Sequence, residues 1–208
     1  MSALVVTNLL WVAAAYLLGA TPTSYLVARV FRGVDLREFG SKNLGATNLY
    51  RLMGWKGAVP VGLYDIAKGT APVLLAARLH PAPGWFPLFI GLCAVLGHVF
   101  SPFVRFRGGK GVATAAGVFV ALAPLCVLVA LVVWGIVLKL SGYVSLGSMI
   151  AAVAFAASAP LLYPGSDATF YAALVTALFI VFTHRANLRR LVAGTENRFG
   201  KKREEAVP

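Results

Sequence analysis

Acidic side chains are scarce in this chain. Seven Asp and Glu stand against 19 Lys and Arg in 208 residues, and charged residues of both signs make up only 12%. Soluble domains carry roughly 25% charged residues, so a water-exposed fold is excluded. With 59% hydrophobic residues and a mean hydropathy of +0.80, the chain reads as integral to a bilayer. The net charge of +12 does not imply nucleic acid as a partner, because the basic residues sit in short clusters between long apolar runs instead of lining polar surfaces. Cysteine is nearly absent. Cys93 and Cys126 both lie inside apolar runs without metal-ligand spacing, and read as packing residues that carry no redox inference. No basic residue precedes the first apolar stretch, Ala3 to Val30, whose first charge is Arg29; this argues against a cleaved signal peptide and for a first helix that enters with its amino end outside. There is no repeat of convincing period, no disordered linker and no second domain, so residues 1–208 read as one membrane-embedded domain. Only "KKREEAVP" at the end reads as a solvated tail.

Further apolar segments run from about Val59 to Leu79, Phe86 to Val104, Val112 to Leu138, Val144 to Tyr163 and Ala168 to Thr183, against roughly 20 residues needed per span. That count is six, and six conflicts with charge. An odd number of crossings is needed to keep the basic tail, with Arg185, Arg189, Arg190, Arg198, Lys201, Lys202 and Arg203, on the cytoplasmic side. The segment from 112 to 138 has Pro124 near its middle and Gly117 before it, and is expected to break into a hairpin of two short helices. The expected architecture is therefore all-α, with seven transmembrane helices, some short or broken. Its amino terminus is outside, its carboxyl terminus cytoplasmic, and its outer turns lie near residues 80–86, 123–125 and 164–167.

Three polar islands then collect on the inner face. The first, "EFGSKNLGATNLYR" from Glu38 to Arg51, combines Gly40 and Gly45 for close backbone approach with Ser41, Asn43, Thr47 and Asn48 as neutral donors and acceptors. Arg51 supplies a rigid fork suited to phosphate. A water-exposed loop with Arg51 as a topology marker fits this stretch too. The second island, "GHVFSPFVRFRGGKGVAT" from Gly97 to Thr114, is expected to present the backbone N–H groups of Gly108, Gly109 and Gly111 to an oxyanion, with the positive end of a following helix and the charge of Lys110 beside them. A nucleotide loop would place a hydroxyl residue directly after the lysine to reach magnesium; Gly111 stands there, so no metal is expected. Gly-Lys-Gly alone also fits a flexible basic turn, and His98 reads either as ordering the loop or as a satisfied structural histidine.

The third island, "HRANLRRLVAGTENR" from His184 to Arg198, reads as a helix continuing from the last span. His184, Asn187, Leu188 and Leu191 share one face, while Arg189 and Arg190 point elsewhere, Arg189 toward anionic lipid. The turn "SGYVSLGS", Ser141 to Ser148, joins helices on the same face. Asp65 and Lys68 form an i, i+3 pair in an apolar segment, a functional or structural ion pair by the cost of burying charge.

Together these stretches resemble a known family. The pattern G-S-x-N-x-G-A-T-N followed by an arginine, then G-H-x-x-x-x-F with F-x-G-G-K-G-V-A-T, then H-x-x-N-L-x-R-L-x-x-G-x-E, is similar to the bacterial membrane glycerol-3-phosphate acyltransferases that use acyl phosphate, the PlsY family. The resemblance covers essentially the whole chain. Two departures are Lys42, where the family commonly has a second glycine, and Leu188 in place of a common isoleucine. It implies a reaction in which acyl phosphate and sn-glycerol 3-phosphate give 1-acyl-sn-glycerol 3-phosphate and inorganic phosphate, at the cytoplasmic face of the bacterial inner membrane and without a cofactor. It also implies a catalytic set of Ser41, Arg51, Lys110, His184, Asn187, Ser145 and Ser148. The implied substrate-binding set is Gly40, Asn43, Gly45, Thr47, Asn48, Lys68, Gly108, Gly109, Gly111, Thr114 and Glu196.

The chemistry suits those residues. Two phosphates brought within several ångströms repel by a few kcal/mol at an effective dielectric near 20, and Lys110 and Arg51 are the cations best placed to offset this. No Ser-His-Asp or Cys-His arrangement and no His-x4-Asp motif is visible in the sequence, which favours direct transfer over an acyl-enzyme. A transporter for an organic phosphate is the competing class, but it would more commonly show inverted repeats and a site near midplane. A purely structural membrane protein would not need three polar islands.

Overall fold

A computed structural model of the protein describes residues 2–80 and 84–200. Among the described residues, all regular elements are helical. They divide into two compact units, Met1–Leu122 and Ala123–Pro208.

The first unit begins with α1, Ala3–Ala20, which carries no charge and turns Leu4, Leu9, Leu10 and Leu17 outward. The first apolar stretch, Ala3 to Val30, is not a single helix: it stops at Thr21–Pro22 and resumes as α2, Thr23–Arg32. Proline has no N–H to continue the ladder and disfavours helical geometry in the residue before it. After the first polar island come α3, Ala46–Met53, and α4, Trp55–Leu79, then α5, Phe86–Val99, a 3-10 turn at Pro102–Val104, and α6, Val112–Leu122. Glycines set the spacing of these helices. A Cβ on Gly19 would overlap the Ala94 carbonyl, and one on Gly97 the Tyr16 carbonyl, so α1 and α5 touch backbone to backbone. Gly69 and Gly117 do the same for α4 and α6 against the Thr114 and Ile66 carbonyls, and Thr70 Oγ1 donates to the Gly117 carbonyl at 2.7 Å across that seam.

In the second unit, α7, Pro124–Ser141, pairs with α8, Val144–Leu162, and α8 with α9, Asp167–Thr183; the short α10, Arg185–Val192, lies on α8 and α9. The long apolar segment from 112 to 138 is broken where Pro124 stands, with Ala123 non-helical and Pro124 at the first position of α7, where its missing N–H costs nothing. Cys126 is the buried residue of α7, and Leu128, Leu131 and Val132 face outward, as expected of a helix against lipid tails. Gly142, at φ +75°, closes α7.

Among the described residues, α1, Phe86–Val104, α7 and α8 are long and apolar enough to cross a bilayer, and α9 with α10 makes a fifth if that bent pair counts as one span. The third island is thus not a straight continuation of the last helix. The chain bends by 57° at His184, where the ring adds a contact to the Ile180 carbonyl beside the backbone N–H that already donates to it. α4 spans 25 residues but holds Lys56, Asp65, Lys68 and Arg78, and α6 has 11 residues. The outer turn expected near residues 80–86 includes positions 81–83, and the basic tail includes 201–208; these lie outside the described residues.

Candidate active site

The first polar island is an organised loop. Leu36 and Leu44 are buried in a cluster with Ala28, Leu49, Val61 and Val104, which pins the loop at two points by apolar burial. Between them, the Asn48 side chain, 1% exposed, replaces the missing backbone ladder. Its amide nitrogen donates to the Phe39 carbonyl at 2.9 Å and the Leu36 carbonyl at 3.3 Å, and its oxygen accepts from the Ser41 N–H at 2.9 Å and from Arg51 Nη1 at 3.5 Å. Asn48 therefore shapes the loop and aims Arg51; its own polar atoms are committed to the protein. Gly40 and Lys42 both adopt left-handed backbone, at φ +57° and +58°. At Lys42, unlike at Gly40, a side chain is carried in that conformation, which costs about 1–2 kcal/mol. Asn43, Gly45 and Thr47 are half-buried around the start of α3, where the Gly45 carbonyl accepts from the Asn48 and Leu49 N–H groups at 3.0 and 3.2 Å.

The second island differs from its sequence-based reading in one respect. The N–H groups of Gly108 and Gly109, expected to face an oxyanion, are donated to the Val99 and His98 carbonyls at 3.0 and 3.1 Å. These are carbonyls at the end of α5 that have no intrahelical partner, so the loop folds back to satisfy them. Only Gly111 of the three glycines has positive φ, +81°; Lys110 is half-buried beside it, at the start of α6. Upstream, Arg105 and Phe106 are consecutive non-glycine residues at φ +57° and +59°. Ser101 holds this turn, accepting from the Phe106 N–H at 2.8 Å while its hydroxyl donates to the Ala20 carbonyl at 2.5 Å. Thr114 is fully buried on α6. Lys68 is likewise buried, with Nζ 2.7 Å from Asp65 Oδ1 and donating to the Thr21 carbonyl at 3.0 Å, so its charge is satisfied within the unit.

In the second unit, Glu196 is the organiser. Its Oε1 accepts from Ser145 Oγ at 2.8 Å and Asn187 Nδ2 at 2.6 Å, and its Oε2 from Arg190 Nε at 2.7 Å. Burial pushes this carboxyl upward, but the three donors from Asn187, Ser145 and Arg190 outweigh it, and the net effect lowers its pKa from the ordinary value of 4.5. Arg190, expected to point elsewhere, is thus part of the cluster. Six residues separate it from Glu196, which is not a helical spacing, and only the turn through Gly194, at φ +69°, brings them together. Ser148 Oγ bonds its own helix at the Val144 carbonyl, 2.9 Å, whereas Ser145 faces the cluster. His184 and Asn187 are both turned inward, 2% and 3% exposed, as their spacing predicts, while Leu188 on the same nominal face is 46% exposed because the bend at His184 re-aims α10. His184 Nδ1 lies 2.8 Å from the Ile180 carbonyl. A carbonyl only accepts, so Nδ1 carries a proton in this contact.

Both units thus hold a buried polar cluster built on one amide or carboxylate. Among the described residues, no group of three or more His, Cys, Asp or Glu side chains is gathered to hold a metal ion. Residues 9–194 match the sequence pattern of the family described as Glycerol-3-phosphate acyltransferase. The chain belongs to that family. Glycerol-3-phosphate acyltransferases of Trichlorobacter lovleyi and Geobacter sulfurreducens are each 46% identical to it, over 92% of this chain and 97% of theirs; that of Chlorobaculum parvum is 40% identical over 94% of this chain and 99% of its own. Two solved structures of PlsY, an integral membrane glycerol 3-phosphate acyltransferase, share the fold. The glycerol 3-phosphate form has a TM-score of 0.86 at 39% identity, and the lysophosphatidic acid form 0.83 at 36%; each covers 93% of this chain and 96% of the solved one. The protein is accordingly a multi-pass membrane glycerol-3-phosphate acyltransferase of phospholipid synthesis, as its motifs indicated, and the transporter and purely structural readings fall away. What its own sequence did not announce is how each motif is held: Asn48 organises the first loop, and Glu196 with Arg190 the last.

Proposed function

We propose that the acyl donor is an acyl phosphate and that the product is 1-acyl-sn-glycerol 3-phosphate. The acceptor and product are supported by the glycerol 3-phosphate and lysophosphatidic acid forms of a relative at 39% and 36% identity, and the donor by a lysine loop and an arginine loop in one unit, enough cationic charge for two phosphates. In the reaction the 1-hydroxyl of glycerol 3-phosphate attacks the acyl carbonyl carbon, the carbonyl carbon–phosphate oxygen bond breaks, and the hydroxyl proton leaves on a phosphate oxygen. Arg51 clamps glycerol 3-phosphate with its fork. Lys110, with Gly111 and the start of α6, takes the phosphate of the donor and the charge that develops as the anhydride opens. Ser41, Ser145, Ser148, His184 and Asn187 bind or orient substrate, and Gly40, Asn43, Gly45, Thr47, Asn48, Lys68, Gly108, Gly109, Thr114 and Glu196 shape the surfaces that do so. His184 positions; a substrate phosphate, with a pKa near 6, accepts the proton.

The same proposal takes residues 1–208 as one catalytic domain of the inner membrane with seven crossings, the amino terminus outside, and the carboxyl terminus and active residues cytoplasmic. Support comes from the break at Pro124 and from the positive-inside bias of the polar islands. The protein purified in detergent is expected to form acyl-glycerol phosphate and inorganic phosphate in equal amounts from acyl phosphate and glycerol 3-phosphate, and no product from acyl thioesters. Equal rates with a thioester would overturn the donor assignment. Arg51→Lys is expected to raise KM for glycerol 3-phosphate roughly tenfold while leaving that for the donor unchanged; the reverse pattern would exchange the two cations' roles.

A further inference from the structure

The glycine run that carries Lys110 leans on a buried charged system, the Asp65–Lys68 pair with His98, that takes no part in the bond-making and bond-breaking steps. On α4, Lys68 Nζ and Asp65 Oδ1 are 2.7 Å apart, with side chains 1% and 4% exposed. Lys68 also ties this pair to the Thr21 carbonyl, at 3.0 Å, where α1 ends before Pro22. From α5, His98 brings Nδ1 to 3.8 Å from the same Asp65 oxygen, so one edge of its ring faces a carboxylate. The opposite edge faces the loop. A Cβ built on Gly109 would overlap His98 Nε2, and one on Gly108 would overlap the His98 carbonyl, which itself accepts the Gly109 N–H. His98 therefore touches the loop twice, by ring and by carbonyl, on the residue directly before Lys110.

Neither Gly108 nor Gly109 has positive φ, and both N–H groups are donated to α5, so backbone conformation does not require glycine at either place and the amides are not offered to a ligand. What requires glycine at 109 is the imidazole. We propose that His98, braced by the Asp65–Lys68 pair, is a positioning residue that sets the height of the Lys110 loop, and that Gly109 is glycine to accommodate His98 and not to admit a phosphate. This rests on the reading that the Lys110 loop holds the acyl donor.

A double-mutant cycle tests it. Wild type, His98→Ala, Gly109→Ala and the double variant are purified in detergent, and kcat and KM for each substrate are measured beside the thermal unfolding midpoint. Gly109→Ala pushes a methyl into the ring and displaces Lys110, so kcat/KM for acyl phosphate is expected to fall by roughly 10², the usual consequence of ångström-scale misplacement. His98→Ala alone lowers it about tenfold. Removing the ring makes room for the methyl, so the double variant is expected to lie within about threefold of His98→Ala and above Gly109→Ala. Losses that multiply to roughly 10³ would overturn the proposal, because a glycine needed for phosphate approach gains nothing from a shorter residue 98. A Gly109→Ala protein that fails to fold alone but folds in the double variant supports the packing relation, and failure of both overturns it; His98→Ser replaces His98→Ala if the alanine protein does not survive purification. If wild type rejects acyl phosphate but turns over with another donor, the donor assignment fails while the cycle, run with that donor, still decides the role of His98.

Discussion

Removing the Glu196 carboxylate takes one acceptor from three donors at once. The side chain is 5% exposed and accepts at 2.8, 2.6 and 2.7 Å; Ser145 and Asn187 are at least as buried. Hydrogen bonds to a charged group contribute about 1.5–3 kcal/mol each. The Arg190 contact counts for less, about 0.5–1 kcal/mol, because that side chain is 35% exposed and water can replace its partner. Glu196→Ala is thus expected to cost about 4 kcal/mol, at the low end of the charged range for the two buried donors. Glu196→Gln keeps one acceptor oxygen and is expected to cost about 1–2 kcal/mol. The check is the unfolding midpoint of the purified protein in detergent, about 2–4 °C per kcal/mol for a chain of this size, measured from neutral pH downward. The native carboxyl titrates below its ordinary 4.5; its contribution is full above that value and is lost as pH falls through the lower, folded-state value. Wild type and Glu196→Gln should therefore converge in acid and separate at neutral pH. A constant difference across that range, or none at neutral pH, would refute the argument.

Lys42→Gly relieves a left-handed backbone at φ +58° and is expected to raise stability by about 1 kcal/mol, seen as a higher unfolding midpoint; a lower one would show that the lysine side chain contributes more than the strain costs. His184→Gln is expected to weaken glycerol 3-phosphate binding with turnover at saturation nearly intact; a turnover loss of roughly 10² or more with disappearance of a pH limb near neutrality would make His184 the general base. Single cysteines at Leu125 and Ser141, the two ends of α7, should label from opposite sides of the membrane, and labelling of both from one side would return the crossing count to six.

Membrane residence, the break at Pro124 and the inward faces of His184 and Asn187 were legible in the sequence because each follows from a local rule: apolar run length, the missing proline N–H, the 3.6-residue period. The Asp65–Lys68 pair was legible for the same reason, being three residues apart on one helix. Which polar residues hold the loops in shape was not. Asn48 and Ser41 looked alike as neutral donors, yet only the folded loop commits every polar atom of the Asn48 amide to Leu36, Phe39, Ser41 and Arg51. Gly108 and Gly109 read as amides aimed at a phosphate, and only the return of the loop onto α5 consumes their N–H groups. Arg190 became a partner of Glu196 through a turn with no periodic signature. Hydrogen bonds over such separations depend on where whole helices sit, so the sequence by itself determined the chemistry available, and tertiary structure decided which groups the protein spends on itself.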